Sequence, residues 1–114
     1  AGQEGDIEGH PLSRRPLDYF KMMYADTAMF GAAHAIRCCI DFYGVDHVLF
    51  ASDSPYDPER GPGYIRLTIR NLQEIGLTEA EQEAVFHGNV SRLLGLPTGS
   101  GVTDDAGAAA QVPL

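Results

Sequence analysis

The sequence has no tryptophan, few basic residues and two cysteines; its eight Lys and Arg residues face sixteen Asp and Glu residues. A net charge of −8 leaves no basic cluster for nucleic acid or an anionic membrane, since both are bound through grouped Lys and Arg side chains. No apolar run approaches the roughly 20 residues that cross a bilayer. These absences exclude a general nucleic-acid binder and predict no membrane partner.

The two cysteines, Cys38 and Cys39, are adjacent, so a disulfide between them would be strained and the chain has no disulfide framework. We therefore expect a reducing compartment, the cytoplasm. The chain begins with Ala1 and a polar, Gly-containing stretch, as a piece of a longer protein does. We expect a fragment, although removal of an initiator methionine before alanine gives the same start.

Composition divides the chain into three parts. Residues 1–16 contain Gly, Pro and charge without periodicity, which predicts a loop or a disordered lead-in. Residues 98–114 are small and polar, which predicts a disordered tail. Residues 17–97 carry the apolar patterns, so the core is expected there.

Apolar spacing within residues 17–97 predicts alternating strands and helices. A strand is expected over residues 22–25, a helix over 33–43 that ends at Gly44, and a buried strand over 48–51. A second long helix is expected over 64–75. This βαβα order implies parallel strands and an α/β fold.

The C-terminal part of this unit carries helix-start signals. Thr78 and Glu81 have the spacing of a capping box, which opens a helix expected to run to about Phe86 and to close near Gly88. Asn89 is then expected to cap a last short helix.

The segment 45–58, VDHVLFASDSPYDP, places Ser52 and Asp53 directly after the second strand. In parallel α/β folds, ligands and catalytic groups collect at the carboxyl ends of strands. A carboxylate there can bind a divalent cation or accept a proton from water. The alternative is that Asp53 only caps the turn that follows, a common role of Asp before Ser-Pro, and spacing by itself favours this alternative.

Three segments resemble the amidohydrolase-2 family, which contains aminocarboxymuconate-semialdehyde and γ-resorcylate decarboxylases and related metal-dependent hydrolases. YADT at 24–27 is similar to that family's penultimate barrel strand, and GVDHVLFASDSPYDP at 44–58 is similar to its last-strand signature. HGNVSRLLGL at 87–96 is similar to its closing helix, with Val90 where alanine is usual. The middle segment is the most specific of the three.

This resemblance implies that the chain is the C-terminal βαβα portion of a (β/α)8 barrel, an incomplete barrel on its own. It implies that Asp53 is the last-strand aspartate, a metal ligand and general base. Ser54 and Pro55 would shape the loop after it. Asn89 and Arg92 match the closing motif and are expected to act in helix capping and packing.

The chain departs from the family pattern in its histidines. The family's His-x-His pair and its middle-strand His have no counterpart, because the four histidines show no such spacing. His34, His47 and His87 are expected in packing or cap-type positions. His10 lies in a loop that could reach an active site, so it is the candidate for substrate binding. One carboxylate holds a transition metal poorly, so we expect this chain alone to be inactive and to bind no metal.

The expected function is that of a C-terminal piece of a metal-dependent hydrolase or nonoxidative decarboxylase acting on a small carboxylated or cyclic substrate. The complete barrel is expected to hold a divalent metal ion, zinc first and manganese second. The alternative is a non-catalytic α/β module that binds a partner through exposed strand edges, and a homo-oligomer fits either case. A truncated gene product without a role of its own is the third hypothesis.

Overall fold

The computed structural model describes residues 12–97, so the expected tail at 98–114 and most of the expected lead-in lie outside it. In chain order the elements are α1 (Pro16–Phe20), β1 (Ala25–Asp26), α2 (Ala33–Tyr43), a 3₁₀ turn (Val45–His47), β2 (Val48–Leu49), α3 (Pro62–Glu74), α4 (Glu79–Glu83), a π-helical turn (Ala84–Gly88) and α5 (Asn89–Leu94). Within this part of the chain, no helix is both long and apolar enough to cross a membrane.

The two strands form a parallel pair, in which Ala25 lies opposite Val48 and Asp26 opposite Leu49. Helix α2 connects them, so the β–α–β unit expected from the apolar pattern is present, and α3 follows β2. The α/β class with parallel strands is therefore confirmed. The sheet contains only these two strands within residues 12–97, and it is open.

The first strand begins later than its apolar residues predict. The amides of Met22 and Met23 donate to the carbonyls of Tyr19 and Phe20, at 3.0 and 3.1 Å, so both residues extend the turn after α1. The expected strand over residues 22–25 was therefore wrong in its bounds. A residue whose amide is bonded within a turn cannot donate it to a neighbouring strand.

The second strand is shorter than expected. The amide of Phe50 faces away from β1 and donates to the carbonyl of Val85 in the π-helical turn, at 3.0 Å. The Ala51 amide, which would continue the ladder, donates to the side chain of Thr27 rather than to a backbone carbonyl. The ladder with β1 thus ends at Leu49 rather than at Ala51. The segment 50–52 leads from β2 to Asp53 and is held by other contacts.

The core lies between α2, β2, α3 and the π-helical turn. Its buried apolar residues are Ile36, Cys39, Ile40, Val48, Leu72 and Val85. Helix α2 has the predicted bounds and ends at Gly44, whose φ of 87° is easily adopted only by glycine. Cys39 is buried and Cys38 exposed, so one of the two cysteines faces the core.

The C-terminal helices match the sequence at their start and differ at their middle. The Thr78–Glu81 capping box is present, as predicted. The expected break at Gly88 is wrong, because Gly88 has helical angles (φ −61°, ψ −45°) and the chain passes from α4 to α5 through the π-helical turn. Asn89 does not cap α5, which has no side-chain cap. Its side chain is used in another contact.

Candidate functional site

Asp53 lies beyond the carboxyl end of β2, on an exposed turn, with a φ of 61°. The amide of Tyr56 donates to the backbone carbonyl of Asp53 at 3.0 Å, so the main chain closes the turn. Within residues 12–97, no hydrogen bond or ion pair involves the Asp53 carboxylate. The turn-capping alternative therefore does not describe this side chain, whose oxygens are open to a ligand.

Thr27 holds the segment that leads to Asp53. Its hydroxyl donates to the carbonyl of Ala51 at 2.8 Å and accepts from the amide of Ala51 at 3.0 Å. The amide of Thr27 also donates to the carbonyl of Leu49 at 3.0 Å. Thr27 is fully buried, so these bonds are shielded from water. Only its place after a predicted strand marks this residue in the sequence.

The loop after Asp53 is organised by a second aspartate, Asp57, which is only 5% exposed. One carboxylate oxygen accepts from the amide of Glu59 at 2.7 Å, and the other lies 3.4 Å from the amide of Tyr64 in the first turn of α3. An anionic side chain at a helix start is favourable, because amides there lack partners within the helix. The sequence signal for this role was an Asp shortly before a helix.

Ser54 and Pro55 lie in this loop, where the family resemblance placed them. A Cβ added to Gly61 would lie 2.8 Å from the Oγ of Ser54, and Gly61 has a φ of 131°. Glycine is therefore needed where the loop returns beside Ser54. Arg66 of α3 donates to the carboxylate of Glu59, and this contact raises the pKa of the Arg66 guanidinium. The later part of the loop is thus tied to α3 through Asp57 and Glu59.

The opposite end of β2 is held by Asn89, which is fully buried. Its side-chain amide donates to the carbonyls of Val45 and Val48, both at 2.8 Å. Arg92 donates to the Asn89 side-chain oxygen at 2.9 Å and to the carbonyl of Asp46 at 3.2 Å. The closing motif therefore joins α5 to the start of β2, which is a packing role.

The histidines do not gather into one site. His10 lies outside the described residues, and His34 is exposed on α2. His47 stacks on Tyr24, with ring centroids 4.5 Å apart, and its Nδ1 lies 3.1 Å from the carbonyl of Met23. His87 lies 3.6 Å from Glu83 on the surface. None of the three described histidines caps a helix through its side chain.

A metal site is not complete within residues 12–97. In that range, no three His, Cys, Asp or Glu side chains come close enough together to hold an ion. The Asp53 carboxylate suits a divalent cation as one ligand, but one carboxylate cannot supply the three or four protein ligands of a zinc centre. The residues described here therefore do not fit a metal on their own.

A groove of about 470 Å³ lies between β1 and α2. Its lining residues are mostly apolar and include Cys38, Cys39, Phe42, Asp26 and Met29. Burial raises the pKa of the Cys39 thiol, and the charges of Asp26 and Cys38 raise it further. A thiol of raised pKa is a poor nucleophile, so Cys39 does not suit thiolate chemistry.

Comparison with known proteins agrees with the resemblance in the sequence. The amidohydrolase family model matches residues 8–96. A crystal structure of 2,6-dihydroxybenzoate decarboxylase complexed with 2,6-dihydroxybenzoate is similar in fold, with a TM-score of 0.61 and 21% identity. The similarity covers 82% of this chain but only 27% of that protein, and no curated protein sequence matches. Since the family match spans most of the chain, the protein belongs to the amidohydrolase family.

Proposed function

We propose that residues 17–97 are the C-terminal βαβα portion of a (β/α)8 barrel enzyme, a metal-dependent hydrolase or nonoxidative decarboxylase. The Asp53 carboxylate would belong to its active site. The observation that supports this most is a parallel strand leading to an exposed carboxylate that has no partner among residues 12–97, in a chain that matches the amidohydrolase family over residues 8–96.

The incomplete barrel accounts for the open sheet. A parallel pair of strands is normally covered on both faces and extended at its edges, and here residues 12–97 supply two strands only. In a barrel of eight strands, two strands are a quarter of the wall. The chain spans a similar share, 27%, of the decarboxylase whose fold it resembles.

Asp53 would act as the group that exchanges a proton with water or substrate. The backbone, not the side chain, closes its turn, so the carboxylate can change protonation without opening the loop. In a hydrolase it would accept the proton of the attacking water. In a decarboxylase it would handle the proton that replaces CO2 on the ring carbon.

The similar structure carries 2,6-dihydroxybenzoate, and this favours the decarboxylase version for the present chain. The substrate would then be a small carboxylated ring. A divalent metal, zinc or manganese, would supply charge stabilisation for the substrate oxygens. Asp53 would be one ligand, and the others would come from parts of the protein beyond residues 12–97. His10 remains a proposed substrate contact.

The test is to sequence the reading frame upstream of the Ala1 codon and to produce the protein that it encodes. We expect a His-x-His strand roughly 200 residues earlier, as a barrel of about 250 residues requires. The purified protein should contain a divalent metal, measured by plasma mass spectrometry. It should release CO2 from 2,6-dihydroxybenzoate or a related carboxylated ring. A start codon without an upstream barrel would overturn the proposal.

A second candidate is a non-catalytic module that binds a partner through its strand edge. The apolar groove beside β1 favours it, because apolar surface next to an open strand promotes association. This candidate predicts concentration-dependent oligomers of the 114-residue chain and no bound metal. Metal analysis of the longer protein separates the two candidates, because the enzyme candidate predicts a bound divalent metal there and this candidate predicts none.

A further inference from the structure

We propose that Thr27 is a positioning residue for Asp53. This inference rests on the proposed role of Asp53. It adds an explanation of how the fold fixes the position of that carboxylate. Thr27 itself touches no reacting atom in this proposal. It acts through the two hydrogen bonds between its hydroxyl and Ala51.

The first step concerns the strand ladder. Backbone pairing between β1 and β2 covers two residue pairs, Ala25 with Val48 and Asp26 with Leu49. The amide of Phe50 faces away from β1, toward Val85, and the amide of Ala51 makes no bond to a backbone carbonyl of β1. The chain between Leu49 and Asp53 therefore needs another means of attachment to β1.

The Thr27 side chain provides this attachment. Its single hydroxyl meets both the carbonyl and the amide of Ala51, at 2.8 and 3.0 Å, in the way that a strand neighbour's backbone would. Ala51 and Thr27 are 24 residues apart in sequence, so the contact joins the ends of the two strands. Two hydrogen bonds from one fully buried, β-branched side chain allow little rotation.

The second step concerns Asp53 itself. It is two residues beyond Ala51 and has a φ of 61°, a left-handed conformation that is uncommon for a residue with a side chain. Such a conformation persists where the flanking chain is fixed on both sides. Thr27 fixes the chain before Asp53, and the bond from the Tyr56 amide fixes the turn after it.

The test compares Thr27→Val with Thr27→Ser in the full 114-residue chain by NMR. Valine keeps the branched shape and removes the hydroxyl, whereas serine keeps the hydroxyl. In Thr27→Val we expect amide exchange at Ala51 to rise about tenfold, the size that one lost hydrogen bond gives. The Asp53 and Ser54 resonances should move as well. Thr27→Ser should keep the wild-type exchange rate and shifts.

The side-chain amide of Asn89, at the other end of β2, is the internal control. Its resonances should stay in place in Thr27→Val, because its partners are Val45 and Val48. Unchanged Ala51 and Asp53 signals in Thr27→Val would overturn the proposal. Loss of the Asn89 signals together with those of Asp53 would also overturn it, because Thr27 would then support the whole fold.

An activity measurement separates this inference from the proposed function. In the longer protein, Thr27→Val should lower kcat with little change in KM, and Thr27→Ser should restore kcat. If Asp53→Asn left kcat unchanged, the proposed role of Asp53 would fail, whereas the NMR result on its position would stand. If only the NMR result failed, the role of Asp53 would stand without Thr27 as its support.

Discussion

The two ends of β2 are built from different kinds of contact. At its start, the buried Asn89 side chain donates to two backbone carbonyls, and Arg92 adds a third bond. Beyond its carboxyl end, the chain reaches an exposed carboxylate in a left-handed conformation, with no side-chain bond to another residue in 12–97. One end satisfies its polar groups, and the other presents one to solvent.

The contacts that stabilise the fold therefore lie at the start of β2, and the carboxylate proposed for chemistry lies beyond its other end. Buried polar groups that are fully hydrogen-bonded make the local fold rigid. An exposed carboxylate without a partner within residues 12–97 contributes little to folding, and its place beyond the carboxyl end of β2 is the basis of the role proposed for it. Asp46 and Asp53 flank β2 on its two sides and make a matched pair for testing this division.

The largest expected effect is on activity, at the carboxyl end. In the longer protein, Asp53→Asn should lower kcat by about 10²–10⁴-fold, because asparagine cannot accept the proton. Asparagine tolerates the left-handed φ of this position, and the carboxylate has no partner within residues 12–97, so the melting temperature of the 114-residue chain should hardly change. Asp46→Asn is the control and should keep full activity. Equal losses of kcat in Asp53→Asn and Asp46→Asn would contradict the proposal that only the carboxyl end of β2 takes part in the chemistry.

The largest expected effect on stability is at the start of β2. Asn89→Ala leaves the carbonyls of Val45 and Val48 without their donor and should lower the free energy of unfolding by about 2–4 kcal/mol. Urea unfolding followed by circular dichroism measures this change. Arg92→Gln, which affects an exposed residue, should cost less than about 1 kcal/mol. If Arg92→Gln lowered the free energy of unfolding more than Asn89→Ala did, the Asn89 side-chain amide would not be the main contact that holds the start of β2.

An intermediate effect is expected in the loop beside Asp53. Asp57→Ala removes the acceptor of the Glu59 amide and should lower the free energy of unfolding by about 1.5–3 kcal/mol. The loosened loop should also be cut faster by trypsin after Arg60, which is exposed. Pro58→Ala is a loop control that leaves the Asp57 bonds in place. Unchanged cleavage in Asp57→Ala would show that the loop is held by other contacts.

The features that the sequence predicts well are those set by neighbouring residues. Helix α2 and its Gly44 end, and the Thr78–Glu81 box, depend on spacings of three and four residues. The position of Asp53 beyond β2 also follows from local order, whereas its role as a site residue stays a prediction. Such spacings can be recognised in a sequence because residues three or four apart contact each other within a helix.

The features that the sequence does not predict depend on distant partners. Asn89 has the spacing of a helix cap, but its amide bonds to Val45 and Val48, 44 and 41 residues away. Thr27 ends a predicted strand, and its contact with Ala51 exists only because the two strands lie side by side. Short strands also lose their predicted bounds, since the amide of Met22 bonds within a turn and the amide of Ala51 bonds to the Thr27 side chain.

The smallest expected effect lies away from both ends of β2, at the start of α4. The Thr78 amide and then its hydroxyl bond to the Glu81 carboxylate, and this lowers the pKa of Glu81 below its ordinary value of 4.5. A lowered pKa in the folded chain means that the ionised carboxylate stabilises the fold above pH 4.5, and that this contribution disappears as the pH falls through the folded pKa.

NMR titration of the Glu81 carboxyl tests this effect. Thr78→Ala removes the hydroxyl and should move the titration midpoint upward, toward 4.5. Thr78→Ser keeps both bonds and should leave the midpoint where it is. The stability difference between wild type and Glu81→Gln should shrink as the pH drops below 4.5. A difference that persisted at low pH would show that the capping box acts through packing, and the ionised carboxylate would then be irrelevant to it.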